Sequence, residues 1–278
     1  MIERIHQIWI QGEEHLKNTR PDLHGYCSKW NLLFPNSKYT LWSELDILEV
    51  LRAFSEELVQ VYTDAPHYAC KSDIARYAIL YRYGGLYVDT DYEPFQNFEY
   101  LVDNTVSLAV VAMSLIQGKK QLANFEYNNC WIYARKECGY MKQMLESIIQ
   151  STYRSKNTYK YVWNVTGPKA FGALMTKHGL AQKKDVRVFP HTFIEISDFS
   201  IGNIRHFSEE EIKKLYPWCI GIHRNDASWI PKSLYDFRTS SEKLYYIINN
   251  WSDHCLIGML ILIVILIVVC VKKKRKKK

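Results

Sequence analysis

The sequence predicts an α/β fold, a single domain built around a mostly parallel central sheet. Three observations carry that expectation. Short runs rich in apolar, β-branched and aromatic residues, among them IHQIWI at 5–10 and VSLAVVAM at 106–113, recur along the chain. Stretches of helical character separate them, and two of these open on capping boxes. Strands that alternate with helices favour parallel pairing, because a parallel neighbour is reached only through a crossover. A chain of 278 residues has ample length to bury a core around such a sheet.

IHQIWI reads as the first core strand, and it starts so early that no signal peptide is expected. Residues 22–33 read as a helix closed by Pro35 and Asn36, and 39–42 as a second strand. Ser43 with Asp46 forms a capping box for a helix through about Ala53. The most informative stretch is 71–95, KSDIARYAILYRYGGLYVDTDYEPF. It reads as a helix, a double-glycine turn, a short buried strand and two aspartates one residue apart. Asp73 and Arg76 are three apart and share a helix face. Ile74, Ala78 and Tyr81 lie on another face and suit the core. Gly84 and Gly85 supply the positive φ that ends the helix. Strands are expected at 106–113, 130–134, 186–189 and 219–222, and helices at 139–153 and 167–178. Residues 118–128 read as a polar loop. Ser208 and Glu211 cap a further helix, which Pro217 stops.

The C-terminus is different in kind. Residues 255–271 contain no charge and approach the shortest length that spans a bilayer; residues 272–278 are all Lys or Arg. The expected organisation is a domain at 1–252, a transmembrane or membrane-anchoring segment at 253–271 and a polybasic tail at 272–278. The tail suits anionic lipid head groups. Lysine clusters normally stay cytosolic, which would leave the domain on the far side of a spanning segment, yet no signal sequence is expected to carry it there. A tail anchor with an inserted basic C-terminus, or a segment that dips into the cytosolic leaflet, resolves the conflict. A single-pass or tail-anchored protein with its domain facing the cytosol is therefore expected. A lumenal domain is the alternative, which glycosylation at the Asn164 or Asn250 triplets would mark. The formal charge of +7 belongs wholly to this tail, since the rest of the chain has 29 basic and 29 acidic residues. A domain without a basic footprint is not a duplex nucleic-acid binder. Seven scattered cysteines without a Cys-x-x-Cys pair argue against a structural zinc site and suit reduced thiols, with one or two disulfides left open.

Asp89 and Asp91 sit at the carboxyl end of the 86–88 strand, where open α/β sheets collect ligands. Two carboxylates there offer hard oxygen ligands for Mg²⁺ or Mn²⁺. An Asp-x-Asp pair alone is common. The longer string is specific: Lys71-Ser72-Asp73-x-x-Arg76-Tyr77, then Leu80-Tyr81-x-x-Gly84-Gly85-x-Tyr87-x-Asp89-x-Asp91. It resembles the family of sugar transferases with a DXD sugar-binding region, which includes fungal α-1,6-mannosyltransferases and inositol phosphorylceramide mannosyltransferases. It is more distantly similar to the catalytic domain of the glucosylating clostridial toxins. IHQIWI resembles the opening strand of that family, and HRNDASW at 223–229 its closing His…Ser-Trp element, although Arg-Asn-Asp is an unusual filling there.

The resemblance implies a GT-A fold. It also implies metal-dependent, retaining transfer of a hexose from a nucleotide sugar, GDP-mannose or a UDP-hexose, to a lipid, glycan or protein hydroxyl. By the same resemblance Trp9 would stack on the nucleotide base. Asp73 and Arg76 would contact donor hydroxyls or the diphosphate, and Asn129 with Asn128 would face the donor sugar or the acceptor. Asp89 would touch the sugar and the shell of the metal, Asp91 would ligate the metal, and His223 would be a second ligand. Ser228 and Trp229 would close over the diphosphate. Asp89, Asp91 and Arg76 form the expected catalytic set. The sequence marks no covalent nucleophile, which favours front-face attack by the acceptor. Two other classes compete. A haloacid dehalogenase-type phosphatase also has Asp-x-Asp after a strand, but expects Thr or Val where this chain has Glu93. A non-catalytic sugar-nucleotide-binding membrane protein would keep the same binding residues.

Overall fold

The first apolar run forms β1 (Arg4–Ile8), buried along nearly its whole length. It leads to α1 (Glu13–Thr19) and α2 (Pro21–Leu33), the latter opened by a proline whose fixed φ suits a first helical turn. β2 (Lys38–Trp42) then lies parallel to β1. The computed structural model describes residues 1–112, 127–151, 158–194, 196–197 and 207–224, all within the compact unit Met1–Ile230. Ser228, Trp229, the 253–271 segment and the 272–278 tail lie outside the described residues. Among the described residues no helix is long and apolar enough to cross a membrane.

α3 (Glu44–Arg52) begins on the expected capping box, with both the amide and the hydroxyl of Ser43 meeting the Asp46 carboxylate. α4 (Glu56–Thr63) follows, capped by Ser55. α5 (Tyr68–Tyr83) is the helix that carries Asp73 and Arg76. It ends on Gly84 (φ 66°) and Gly85 (φ 104°), and the chain returns as β3 (Gly85–Val88). Both glycines are required by space as well as by φ. A Cβ on Gly84 would fall on the backbone of Lys136, and one on Gly85 on the backbone of Arg4. His6 of β1 clasps this turn. Its Nε2–H donates to the Gly84 carbonyl at 2.8 Å, and its Nδ1 accepts from the Trp42 indole at 3.1 Å. Burial pushes the His6 pKa down to about 4, so the ring stays neutral.

Among the described residues the central sheet has six strands in the order β2-β1-β3-β6-β5-β7, completed by β5 (Leu108–Ala112), β6 (Tyr127–Ala134) and β7 (Val186–Pro190). β6 alone runs against the rest. The mostly parallel sheet is therefore present, with one reversed strand that antiparallel pairing to β5 accommodates without a crossover. The alternation of side chains along β5 shows how the sheet divides the interior. Leu108 and Val110 join one apolar cluster with Ile47, Ile74 and Leu145, while Ala109 and Val111 join another with Trp30, Phe98 and Trp131. α5 lies in the first of these, against α3 and α6 (Gly139–Ile149), and residues 73–80 are all buried. The reading of a core face at Ile74, Ala78 and Tyr81 is widened here: residues 73–80 are covered on every side, and the two charges among them, Asp73 and Arg76, are buried against each other.

α7 (Thr158–Tyr161) runs into a π turn, Val162–Thr166, before α8 (Pro168–Lys177). After β7 come α9 (His191–Ile194), β8 (Ile196–Ser197), α10 (Glu209–Leu215) and β9 (Gly221–His223). β9 lies between β8 and β4 (Tyr92–Pro94) in a second, three-stranded sheet. The five described cysteines, 27, 70, 130, 138 and 219, are buried.

Candidate functional site

At the carboxyl end of β3 the chain bends. The Asp89 amide still donates to Cys130 O of β6 at 2.8 Å, but the Tyr92 amide turns back to Asp89 O at 3.0 Å. Gln7 of β1 also donates to that carbonyl at 2.9 Å, and is itself held by the Tyr39 hydroxyl at 2.8 Å. The turn lets both carboxylates approach one point, which an ideal strand would not. His223, at the end of β9, brings its Nε2 to 3.1 Å from Asp91 Oδ1 and 3.9 Å from Asp89 Oδ2. One ligand atom from each of Asp89, Asp91 and His223 lies within 4.8 Å of the others.

Arg76 joins this group from below. Its Nη2 is 3.1 Å from Asp73 Oδ1 and 3.2 Å from Asp89 Oδ1, and its Nη1 donates to Asn129 O. Its guanidinium also lies over the Tyr87 ring, 4.5 Å from the centroid. The Tyr87 hydroxyl donates to Asp89 Oδ1 at 2.7 Å. Asp73 is more enclosed: Oδ1 accepts from Asn129 Nδ2 at 2.8 Å as well as from Arg76, and Oδ2 accepts from Thr166 Oγ1 at 2.9 Å. Asn129 reaches Asp73 because β6 bulges there, its pairing jumping from Val110–Ile132 to Val111–Asn128. Thr166 reaches it from the widened π turn, a conformation that recurs at functional sites. Tyr77 closes the ring, donating to Thr166 O at 2.9 Å and lying 3.0 Å from Asn129 Nδ2.

The electrostatics follow from burial. Burial raises Asp73 to about 6, against the pull of Arg76 and Thr166. Burial also raises Asp89, and the neighbouring Asp91 adds to it, while Arg76 opposes. Burial disfavours the Arg76 charge, but Asp89, Tyr87 and Asp73 outweigh it and keep the guanidinium charged. The Tyr87 hydroxyl is held protonated by burial, so it remains a donor to Asp89. The donor set suits a small hard cation: two carboxylates and one imidazole, with excess negative charge. Asp89, 27% exposed against 12% for Asp91, is the more open of the two carboxylates.

Of the residues singled out from the sequence, Asp73, Arg76, Asp89, Asp91, Asn129 and His223 are thus brought together. Trp9 lies just past β1, at the edge where parallel β3 ends. It is half-buried against the Leu16, Leu23 and Cys27 cluster, and its indole N–H donates to His15 Nδ1 at 3.1 Å. Ser228 and Trp229 are among the residues not described. Gln7, Tyr77, Tyr87 and Thr166 were not assigned roles from the sequence. Tyr87 carried a signal, since it precedes Asp89 by the two-residue period of a strand face. The Asn164-Val165-Thr166 triplet reads as a glycosylation pattern, whereas in the fold Thr166 is wholly buried on Asp73.

Residues 21–108 match the family model described as the glycosyltransferase sugar-binding region containing DXD motif, and the resemblance read from 71–95 is borne out. An uncharacterized glycosyltransferase of Acanthamoeba polyphaga mimivirus is 41% identical over 88 residues, 31% of this chain and 34% of that protein. Inositol phosphoceramide mannosyltransferase 1 of Schizosaccharomyces pombe is 23% identical over 186 residues, 67% of this chain and 54% of that protein. The chain thus spans about half or less of the length of these relatives. Among solved structures, the PaToxG glycosyltransferase overlaps 64% of this chain and 70% of its own, at 19% identity and a TM-score of 0.42. The catalytic domain of alpha-toxin from Clostridium novyi overlaps 63% and 73%, at 10% identity and a TM-score of 0.41.

Proposed function

We propose that the chain is a metal-dependent glycosyltransferase that moves a hexose from GDP-mannose or a UDP-hexose to a lipid, glycan or protein hydroxyl, with retention at the anomeric carbon. The observation that supports this reading is the convergence of Arg76, Asp89, Asp91 and His223 at a strand end, with all but His223 inside the region matched by the sugar-binding family model.

Breaking the bond between sugar and diphosphate leaves negative charge on the diphosphate as the anomeric carbon becomes cationic. Mn²⁺ or Mg²⁺ held by Asp91 and His223, with Asp89 in contact directly or through water, would supply positive charge where the diphosphate departs. Arg76 lends a second, permanently placed charge beneath it. Tyr87 and Arg76 hold Asp89 Oδ1, which leaves Oδ2 to face the ion or a sugar hydroxyl. Asp73 has three donors and retains a lone pair for one donor hydroxyl. Trp9 would offer the base a flat face, and Ser228 and Trp229 would cover the diphosphate. Front-face attack by the acceptor is consistent with a site that orients rather than forms a covalent intermediate. The 253–271 segment and basic tail favour membrane attachment, and hence an acceptor in or near a bilayer.

The test is nucleotide release from a panel of UDP- and GDP-sugars, with Mn²⁺, with Mg²⁺ and with chelator. One donor should be hydrolysed in a chelator-sensitive way. Asp91→Ala should lower that rate about a hundredfold or more with an unchanged circular dichroism spectrum. Near-normal turnover in D91A overturns the metal assignment. Phosphate release without nucleotide release favours a phosphatase, and donor binding without turnover a non-catalytic role.

A further inference from the structure

The second sheet delivers His223 on short strands: β9 pairs with β8 at Ile196–Ile222 and Ser197–His223, and the Phe95 amide donates to Ile220 O at 2.9 Å. β4 and β9 share three residue pairs, Tyr92–His223, Glu93–Ile222 and Pro94–Gly221. A slip of one residue in so short a ladder would turn His223 to the other face and separate it from Asp91. In strands this short, side-chain contacts across the pair add to what sets the register.

Glu93 and Arg224 occupy the position where such a device belongs. Glu93 Oε2 accepts from Arg224 Nε at 3.1 Å and also from Nη2, while Oε1 accepts from Lys29 Nζ at 2.6 Å. Both side chains are nearly enclosed, 8% exposed for Glu93 and 11% for Arg224. The other guanidinium nitrogen of Arg224 donates to Phe207 O at 2.8 Å, just before α10, and the group lies 5.7 Å from the centroid of the Tyr26 ring. The backbone of the same residue extends the ladder by one rung, since the Arg224 amide donates to Asp91 O at 2.9 Å. Arg224 therefore grips β4 twice, at the carbonyl of Asp91 by its backbone and at Glu93 by its side chain. Gly221 adds a steric lock, because a Cβ there would strike the Tyr92 hydroxyl, which is tied to Ile194 O. A buried ion pair is a poor source of stability, since well-packed apolar side chains do as well or better; its best-attested use is to fix register.

We infer that the Glu93–Arg224 pair sets the register of β9 on β4 and so places His223 beside Asp91, which makes Glu93 and Arg224 positioning residues for metal binding. The inference rests on the reading of Asp89, Asp91 and His223 as ligands. Outer partners that orient ligands typically change metal affinity ten- to a hundredfold when altered.

The experiment is a Mn²⁺ titration of the full chain in detergent, followed by electron paramagnetic resonance, for wild type, Glu93→Gln, Arg224→Lys and Ile212→Ala. Ile212 of α10 shares an apolar cluster with Ile222 and Cys219, and its aliphatic side chain makes no hydrogen bond or ion pair to either charged partner, so it controls for general loosening. E93Q should weaken Mn²⁺ by about ten- to a hundredfold. R224K should also weaken it, and because it leaves the net charge unchanged the loss cannot come from removing a charge near the ion; it comes from losing the guanidinium fork. I212A should lower the melting temperature and leave the affinity within about twofold of wild type. Should E93Q fail to fold, R224K carries the test. Wild-type affinity in R224K, or a loss in I212A as large as in R224K, overturns the inference and leaves the metal site standing. A wild-type chain that binds no Mn²⁺ overturns the ligand assignment and this inference with it.

Discussion

The two sides of the site are made in opposite ways. The α5–β3 side is one continuous segment, closed by glycines, buried throughout residues 73–80, and seated in a six-stranded sheet. The β4–β9 side joins strands of three residues each that are 131 positions apart, and it is tied by buried ions. On the first side, the groups that would meet the donor also hold the fold together. On the second, the proposed metal ligation should be separable from folding. That contrast teaches where a mutation should be silent in stability and loud in function, and where the two must fail together.

The largest effect should come from Arg76→Ala. It strands Asp73 and Asp89 without their shared cation, so stability should fall by about 3–5 kcal/mol in urea unfolding and donor hydrolysis should vanish. Asp91→Ala, at the join between β3 and β4 where the two sides meet, should lose only the activity; equal stability losses in the two variants would break the contrast. Next comes His6, which clasps the first side. Its folded pKa of about 4 lies below the ordinary 6.5, so protonation favours the unfolded chain. Its contribution is fully present above pH 6.5 and is lost as pH falls toward 4, by about 3 kcal/mol in total. Asp73, raised to about 6, slopes the opposite way in the same window. The comparison is therefore wild type against His6→Gln in chelator, and the difference in unfolding free energy between them should change by that amount from pH 7 to pH 4. Gly85→Ala should cost about 2–3 kcal/mol, since φ is 104° and the backbone of Arg4 occupies the space. The smallest loss belongs to the second side: Ser208→Ala removes the capping box of α10 and should cost about 1 kcal/mol by thermal denaturation.

Legibility followed the same divide. Helix, glycine turn, strand and paired aspartates could be read from 71–95 because each rests on a local rule: a three-residue helix spacing, a positive φ, a strand end. Both capping boxes were legible for the same reason. The burial of α5 on every side was not, because its far face is covered by α3, α6 and the π turn, which no spacing within the helix encodes. The short helices α1 and α4, the reversed β6 and the three-stranded sheet were missed as well. Thr166 was hidden for a related reason: its bond to Asp73 joins residues 93 apart, and a π turn has no sequence period of its own. Glu93 was visible but misjudged. It served only to argue against a phosphatase, although it continues the alternation of Tyr87, Asp89 and Asp91, and its partner Arg224 is the first residue of a filling that looked out of place.

The distance in sequence between Glu93 and Arg224 also has a kinetic meaning. Asp89 and Asp91 are in place once a local helix–turn–strand unit forms. His223 arrives only when a loop of 131 residues closes, at an entropic cost of about 4 kcal/mol. The proposed ligand set would therefore be completed late in folding, after the large sheet. An ion that needs all three side chains acts after the main barrier has been crossed, so it should slow unfolding while leaving the refolding rate almost unchanged.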